Sequence, residues 1–448
     1  MAKILILRAR VVKAVVQRRP RGEENTMSDR QLAAGIAIGK VVLGWFRLLD
    51  DPGAVLIRPS QAIDPYPHYE RIRARGKVVP SKLGMLLVSD HELCSAVLRD
   101  PAFGVAPNKE IGQPDPGLNG LVNPLEDSFI FRNPPEHGRL RRVVSPLFTP
   151  RAMQERQGRV EAIVDEFLDQ LAGREEFDLV DEFASRVPIK IICDLLGVPD
   201  TAHRRMTAWG TTLAASIDGM GSMAQVRELR STLRELNDFL AERIKLRRAE
   251  PNDDVIGHML AEGGLTDFEL LASSGLLLAA GFETTVNLIG NGVLALLANP
   301  SARQRLVDDP SAADNIVEEI LRLDPPIQYT ARLPLAGAKL AGRDVPAGKV
   351  IVLLTAAANR DPAVFPDPHR FDPDRPNARE HLTFSSGVHY CLGAGLARME
   401  GAIALRALFR RFPDLRLSGA VQRRASRAVR GPLHLPVRVT SRQPAAIA

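Results

Sequence analysis

Cysteine is scarce in this chain. The three present in 448 residues, Cys94, Cys193 and Cys391, lie far apart and are odd in number. That excludes a disulfide framework and points to a reducing compartment. No CxxC and no Cys/His pair stands at zinc spacing, so a structural zinc site is excluded as well. Long apolar runs are also lacking: the longest, Ala33–Leu49, is interrupted by Lys40 and Arg47 and is short for a span. With no secretory leader pattern either, no transmembrane segment is expected. The expected location is cytoplasmic, with peripheral attachment to a membrane as the alternative. No G-x-G-x-x-G opens a βαβ unit and no flavin module is fused, so no nucleotide-binding fingerprint is apparent. Lysine supplies only 10 of the 59 basic residues, a skew associated with GC-rich bacterial genomes.

An evenly spread positive charge is missing too. The net charge is +6, but residues 1–26 hold seven basic groups against Glu23 and Glu24. They account for +5 and leave +1 for the rest, so a phosphate-binding surface is excluded and no nucleic-acid partner is expected. Met27 reads as a plausible start, which makes 1–26 an N-terminal extension or a mis-assigned start; a basic amphipathic membrane-surface segment is the other reading. No repeat or low-complexity linker breaks residues 27–448, and one domain is expected there.

What is present is helical periodicity: Pro67–Arg75, His91–Leu98, His137–Phe148, Arg151–Leu171, Ala184–Leu196, Met223–Arg248, Asp267–Ala298, Ala312–Arg322 and Leu392–Phe412. Strand-like pieces are short, at Leu83–Val88, Val350–Ala356 and Pro436–Val439. A single large domain, mainly α with a small β portion, follows. Residues 103–133 form an irregular stretch long enough to suggest a functional loop.

Three constellations carry chemistry. Cys391 ends a glycine-bearing loop just before an apolar helix, where unpaired N–H groups and the macrodipole favour thiolate. Gly393 and Gly395 would let a flat cofactor lie over the backbone. One sulfur without zinc partners is read as the axial ligand of a haem iron. Second, Asp267–Ala298 is apolar on nearly all faces, yet Ala280-Gly281-Phe282-Glu283-Thr284-Thr285 puts an acid and two hydroxyls in its middle, a violation of burial expected at a functional site. The hydroxyls can compete for helical carbonyls. Third, Glu319 and Arg322 share a helix face at i,i+3.

The run Phe384-Ser385-Ser386-Gly387-Val388-His389-Tyr390-Cys391-Leu392-Gly393 resembles the cysteine-ligand loop of the cytochrome P-450 superfamily, F-x-x-G-x-H-x-C-x-G. Many members carry glycine at the position of Ser385; serine is acceptable there if its φ is negative. Ala280–Thr285 resembles the superfamily's A-G-x-[DE]-T-T motif and Glu319/Arg322 its E-x-x-R motif. The likeness spans about residues 60–440 and is nearest to the soluble bacterial, actinobacterial-like class. It implies the cytochrome P-450 fold, haem b (iron protoporphyrin IX) as cofactor, and Cys391 as the metal ligand. Ala280, Gly281, Phe384 and Gly393 would border the haem. Thr284 would hydrogen-bond dioxygen and order water, while Glu283 relays protons. Glu319 and Arg322 would lock to an arginine of the preceding loop, read here as Arg370. His137, Arg141, Arg332 and His389 would hold the propionates.

The activity implied is insertion of one atom of O2 into an apolar substrate, a lipid, sterol, terpenoid or polyketide-like molecule. Electrons would come from a separate ferredoxin and ferredoxin reductase, with Arg142, Arg398 and Arg406 as docking charges. A peroxide-driven peroxygenase and a non-catalytic haem-binding sensor or carrier are the alternatives. The Glu283-Thr284 pair argues against both.

Overall fold

In the computed structural model, residues 29–56, 64–105, 118 and 120–440 are described; the expectations for 1–26 and Met27, and part of those for 103–133, lie outside them. The apolar run with polar residues at its centre folds as one helix, Asp267–Ala298, 32 residues and about 48 Å long at 1.5 Å per residue. Thr266 opens it through a capping box: its hydroxyl accepts from the Glu269 N–H, and the Glu269 carboxylate accepts from the Thr266 N–H. Pro300 closes it by holding Asn299 outside helical geometry.

This helix crosses the middle of the largest hydrophobic core. Helices Arg186–Leu195, His203–Ser216 and Met223–Ala249 pack around it, and Ala394–Arg411 lies against it. Two glycines permit that last approach. A Cβ at Gly292 would stand 2.7 Å from Leu405 Cδ1, and one at Gly401 would stand 3.0 Å from Leu288 Cδ2.

The β portion sits apart with its own smaller cores. Val78–Pro80 pairs antiparallel with Leu86–Val88, which runs parallel to Ile351–Leu353; Thr330–Pro334 and Phe103–Gly104 complete the five-stranded sheet. Thr330–Pro334 went unread in the sequence, and it carries Arg332, opposite Ile351. Near the C-terminus, Gln422–Arg423 and Pro432–His434 form a bulged hairpin. The expected helix His137–Phe148 is divided: Glu136–Val144 is α-helical and Ser145–Phe148 tightens to a 3₁₀ turn, where Pro146 lacks the donor an α-turn needs.

Helix Asp29–Leu48 is, among the described residues, the one helix long and apolar enough to cross a membrane by length and composition alone. Lys40 and Arg47 fall within it, and Asp29 ties it to Arg230 of helix Met223–Ala249 at 2.7 Å.

Helix Ala313–Leu323 presents Glu319 and Arg322, both fully buried. Arg322 Nε and Nη2 donate to the two Glu319 oxygens at 2.6 and 2.8 Å. Its remaining donors reach the carbonyls of Asn359, Pro368 and Arg370 at 2.9, 2.9 and 3.1 Å. The loop arginine that joins them is not Arg370 but Arg375, whose buried Nε donates to both Glu319 oxygens at 3.2 Å. The side chain of Arg370 turns outward to Asp372, at 2.8 Å, and only its carbonyl serves the cluster. Arg375 also donates to the carbonyls of Pro366, Asp367 and Arg370 at 2.6, 3.3 and 3.2 Å, which hold it inward.

Arg375→Ala should therefore cost about 1–3 kcal/mol, because Glu319 keeps Arg322 while it and three loop carbonyls lose a donor, whereas Arg370→Ala should stay within about 0.5 kcal/mol. Denaturant unfolding of both variants checks this; equal losses would return the role to Arg370.

Candidate active site

The loop before helix Ala394–Arg411 is fixed by its own backbone. Cys391 N–H donates to the Phe384 carbonyl at 2.9 Å and Tyr390 N–H to Gly387 at 3.0 Å. Gly387 has φ of +66°, and a Cβ there would lie 2.5 Å from the Leu98 carbonyl oxygen, so only glycine fits. Ser385 also has positive φ, +63°, not the negative value that a non-glycine favours; this position is strained by roughly 1–2 kcal/mol. A Cβ on Gly393 would meet nothing within 4 Å, so open space lies beside the sulfur.

Cys391 is accessible, yet burial pushes its thiol above the ordinary range, against the Gly393 N–H and the Arg141 and Arg398 charges, which lower it. Accessible surface together with desolvation describes a sulfur recessed in a hollow. The stabilisation of thiolate expected from the helix start is thus outweighed in the protein alone; coordination to a metal removes the proton outright.

Four nitrogen-bearing side chains gather beside this loop. Arg141 donates to the carbonyls of Tyr390 at 2.7 Å and Val388 at 3.3 Å, tying helix Glu136–Val144 to the cysteine loop. The rings of His137 and His389 are 4.2 Å apart. Arg332 is buried and donates to Thr330 Oγ1, the Ala331 carbonyl and, at 3.4 Å, Ser385 Oγ. Among the described residues no carboxylate pairs with any of the four, and the buried His137 Nε2 has no partner. Burial, then the neighbouring arginines, pushes His137 down to about 4; burial, Arg332, His137 and Arg141 take His389 to about 3. Burial also lowers Arg332 to about 10. Such a cluster is short of negative charge, and a ligand with two carboxylates would supply it.

On the long helix, buried almost throughout, Ala280, Gly281 and Thr284 are accessible. Their spacing puts them on one face, which therefore looks into a hollow. Thr284 Oγ1 donates to the Ala280 carbonyl at 2.9 Å and Thr285 Oγ1 to Gly281 at 3.2 Å, without breaking the helix. Glu283 points elsewhere. It is buried and accepts through Oε1 from Arg424 Nη1 at 2.7 Å. Burial raises its pKa while Arg424 lowers it, and burial prevails. Arg424 was not singled out in the sequence, where one arginine in an arginine-rich hairpin carries no signal.

Glu318 is the other residue missed. It accepts from Arg398 Nε at 2.7 Å, and His381 Nε2 stands 2.9 Å from its second oxygen. Burial alone would raise this carboxyl, but His381 and Arg398 hold it down at about 2. Arg398 also donates to the Tyr390 hydroxyl at 3.0 Å and lies over the Phe384 ring. It is a brace of the cysteine loop rather than a free docking charge. Arg406 is half-buried and Arg142 exposed.

The Cytochrome P450 family model matches residues 311–421. A putative cytochrome P450 140 of Mycobacterium tuberculosis is 40% identical over 420 residues, covering 90% of this chain and 95% of that protein. The 6-deoxyerythronolide B hydroxylase of Saccharopolyspora erythraea is 36% identical, covering 84% and 96%. Among solved structures, ligand-free CYP164A2 of Mycobacterium smegmatis superposes with a TM-score of 0.77 at 37% identity, covering 87% of this chain and 99% of that one. With the fold and the recessed cysteine, these likenesses define a haem-thiolate oxygenase, and the chain belongs to the cytochrome P450 family. It is a bacterial P450 monooxygenase with haem as its cofactor. The open space over Gly393, the recessed Cys391 and the cluster lacking negative charge all fit that group.

Two outcomes follow. Ser385→Gly should raise stability by about 1 kcal/mol by relieving the positive φ, read as a rise in melting temperature; a fall would show that the Arg332 contact outweighs strain. For Glu318, a folded pKa below the unfolded value gives stability that is present above about 4.5 and lost as pH falls toward about 2. The stability gap between wild type and Glu318→Gln should therefore be full near pH 6 and close across that window; a gap constant with pH would contradict it.

Proposed function

We propose that Cys391 supplies the thiolate ligand of the haem iron and that His137, Arg141, Arg332 and His389 bind the haem propionates. The observation that carries this is the convergence of those four side chains on the cysteine loop with no carboxylate among them. When bound, haem supplies the activation of dioxygen and the oxidation of substrate. The protein's residues do the rest. Arg141 braces the loop that holds the sulfur, Phe384 packs under Arg398 beside it, and Gly393 leaves room for the ring. Ala280 and Gly281 leave a methyl group and backbone accessible on the long helix, with Thr284 offering a hydroxyl that can turn from the Ala280 carbonyl to order water. Glu283, buried with its pKa raised by that burial, is suited to hold and move a proton. A buried acid of this kind favours a monooxygenase over a peroxide-driven enzyme, which does not need one.

The substrate we propose is an apolar small molecule. Leu277 lies one turn before Ala280 and Gly281 on the same helix face, and the similar hydroxylase is named for 6-deoxyerythronolide B. Electrons would arrive from a separate ferredoxin and its reductase, with Arg142 as an exposed docking charge. We place the enzyme in the cytoplasm, with residues 27–448 as the monooxygenase domain.

The test is the carbon monoxide difference spectrum of the reduced protein. Wild type should give the red-shifted band of thiolate ligation, and Cys391→Ser should lose it; a wild type without that band would overturn the assignment of Cys391. Arg332→Ala should release haem roughly tenfold faster, the consequence of losing about 1.4 kcal/mol of charge-assisted binding. Haem transfer to an acceptor globin measures it, and an unchanged rate would remove Arg332 from the propionate set.

A further inference from the structure

We propose that Arg424 is a positioning residue for Glu283, anchoring its Oε1 so that Oε2 alone takes up and hands on protons. The inference rests on Glu283 being the acid proposed above. Its observations are separate from the haem side. Glu283 Oε1 lies 2.7 Å from Arg424 Nη1, while Oε2 is buried with no partner. Arg424 Nε donates to Asn287 Oδ1 at 3.3 Å, and Asn287 Nδ2 donates to the Glu283 carbonyl at 2.8 Å. One arginine therefore holds the acid and the amide one helical turn beyond it.

The arginine is itself held. Its N–H donates to the Gly431 carbonyl at 3.2 Å, and a Cβ on Gly431 would stand 2.0 Å from Asn287 Oδ1. The hairpin is pressed onto the long helix just where the clamp forms. The Arg424 side chain keeps 13% exposure against 4% for Glu283, so it reaches from near solvent to an acid that has almost none.

Charge makes the arrangement directional. Among the described residues, Arg424 is the one charged group acting on Glu283. On its outer side Arg424 acts on Asp181, which His434 also faces at 3.6 Å. Without Arg424, burial would act on Glu283 unopposed and keep the carboxyl protonated to higher pH. With it, the carboxylate is regained after each transfer. One proton from water enters at Oε2 and one leaves from Oε2, so the group returns to its starting state and no electrons change hands.

The test uses the holoenzyme as wild type, Arg424→Gln and Arg424→Lys. Infrared difference spectra across pH would follow the protonated-carboxyl band, assigned by its absence in Glu283→Gln. The band should persist at least about one pH unit higher in the Gln variant, a tenfold change in proton affinity, and by less in the Lys variant. Turnover should fall roughly tenfold or more in Arg424→Gln, as for loss of general acid–base function. An unshifted band in folded Arg424→Gln overturns the proposal, as does a turnover loss without a shift, which would assign Arg424 to hairpin packing alone. The carbon monoxide spectrum separates the premises. Its loss in wild type would count against the haem-thiolate assignment, and full turnover by Glu283→Gln would remove the acid's role while leaving the ion pair measurable.

Discussion

The buried cluster of Glu319, Arg322 and Arg375 is the constraint on which the cysteine loop depends. It carries two positive charges and one negative with almost no access to water. Such a group is tolerable only if every donor is met. Arg322 has five N–H donors, and five acceptors surround it: two Glu319 oxygens and three loop carbonyls. The carbonyls serve as the missing counter-charge, so the loop from Asn359 to Arg375 cannot change shape without exposing an arginine to an unmet interior. Asn359 carries that rigidity forward. Its side chain accepts from the Leu382 N–H at 2.7 Å and donates to Thr383 Oγ1 at 2.9 Å, which sets the start of the cysteine loop.

The opposite arrangement governs the loop's other side. At the cluster the charges are closed on themselves; around His137, Arg141, Arg332 and His389 they are left open. Burial is the first cause of the lowered proton affinity of both histidines and Arg332, and among the described residues no acid offsets it. A structural network would place a carboxylate there, as it does at Glu318, which closes on His381 and Arg398. Two networks on one loop, one satisfied and one short of anions, separate scaffold from binding site by chemistry alone.

The sequence made some of this legible and not the rest. The long helix was readable because apolar residues fill it, whereas the capping box at Thr266 that opens it was seen only in the fold. Cys391 was readable because glycines and a following helix surround a lone sulfur. Arg370 was chosen over Arg375 because both stand in one irregular loop, and no periodicity tells which faces inward; the partner that decides it, Glu319, lies 56 residues from Arg375 in the chain. Strand Thr330–Pro334 escaped notice because two prolines precede it and a third ends it, and its pairing with Ile351–Leu353 is long-range. Arg424 and Glu318 escaped for the same reason: their partners lie 141 and 80 residues away in the chain, beyond any spacing rule.

The capping box of the long helix joins the two faces of the site. Glu269 accepts the Thr266 N–H and also pairs with Arg139. Arg139 lies on helix Glu136–Val144, between His137 and Arg141, and Arg141 in turn grips the cysteine loop. A path of short polar contacts thus runs from the start of the helix bearing Glu283 and Thr284 to the backbone next to Cys391. A cap ordinarily contributes about 1 kcal/mol to its own helix. Here the same carboxylate also ties the start of the long helix to helix Glu136–Val144, whose Arg141 holds the cysteine loop. The strain accepted at Ser385 fits this view. Its backbone must follow a path set from outside, by Asn359 on one flank and Arg141 on the other, and the local preference of one residue is too small to redirect it.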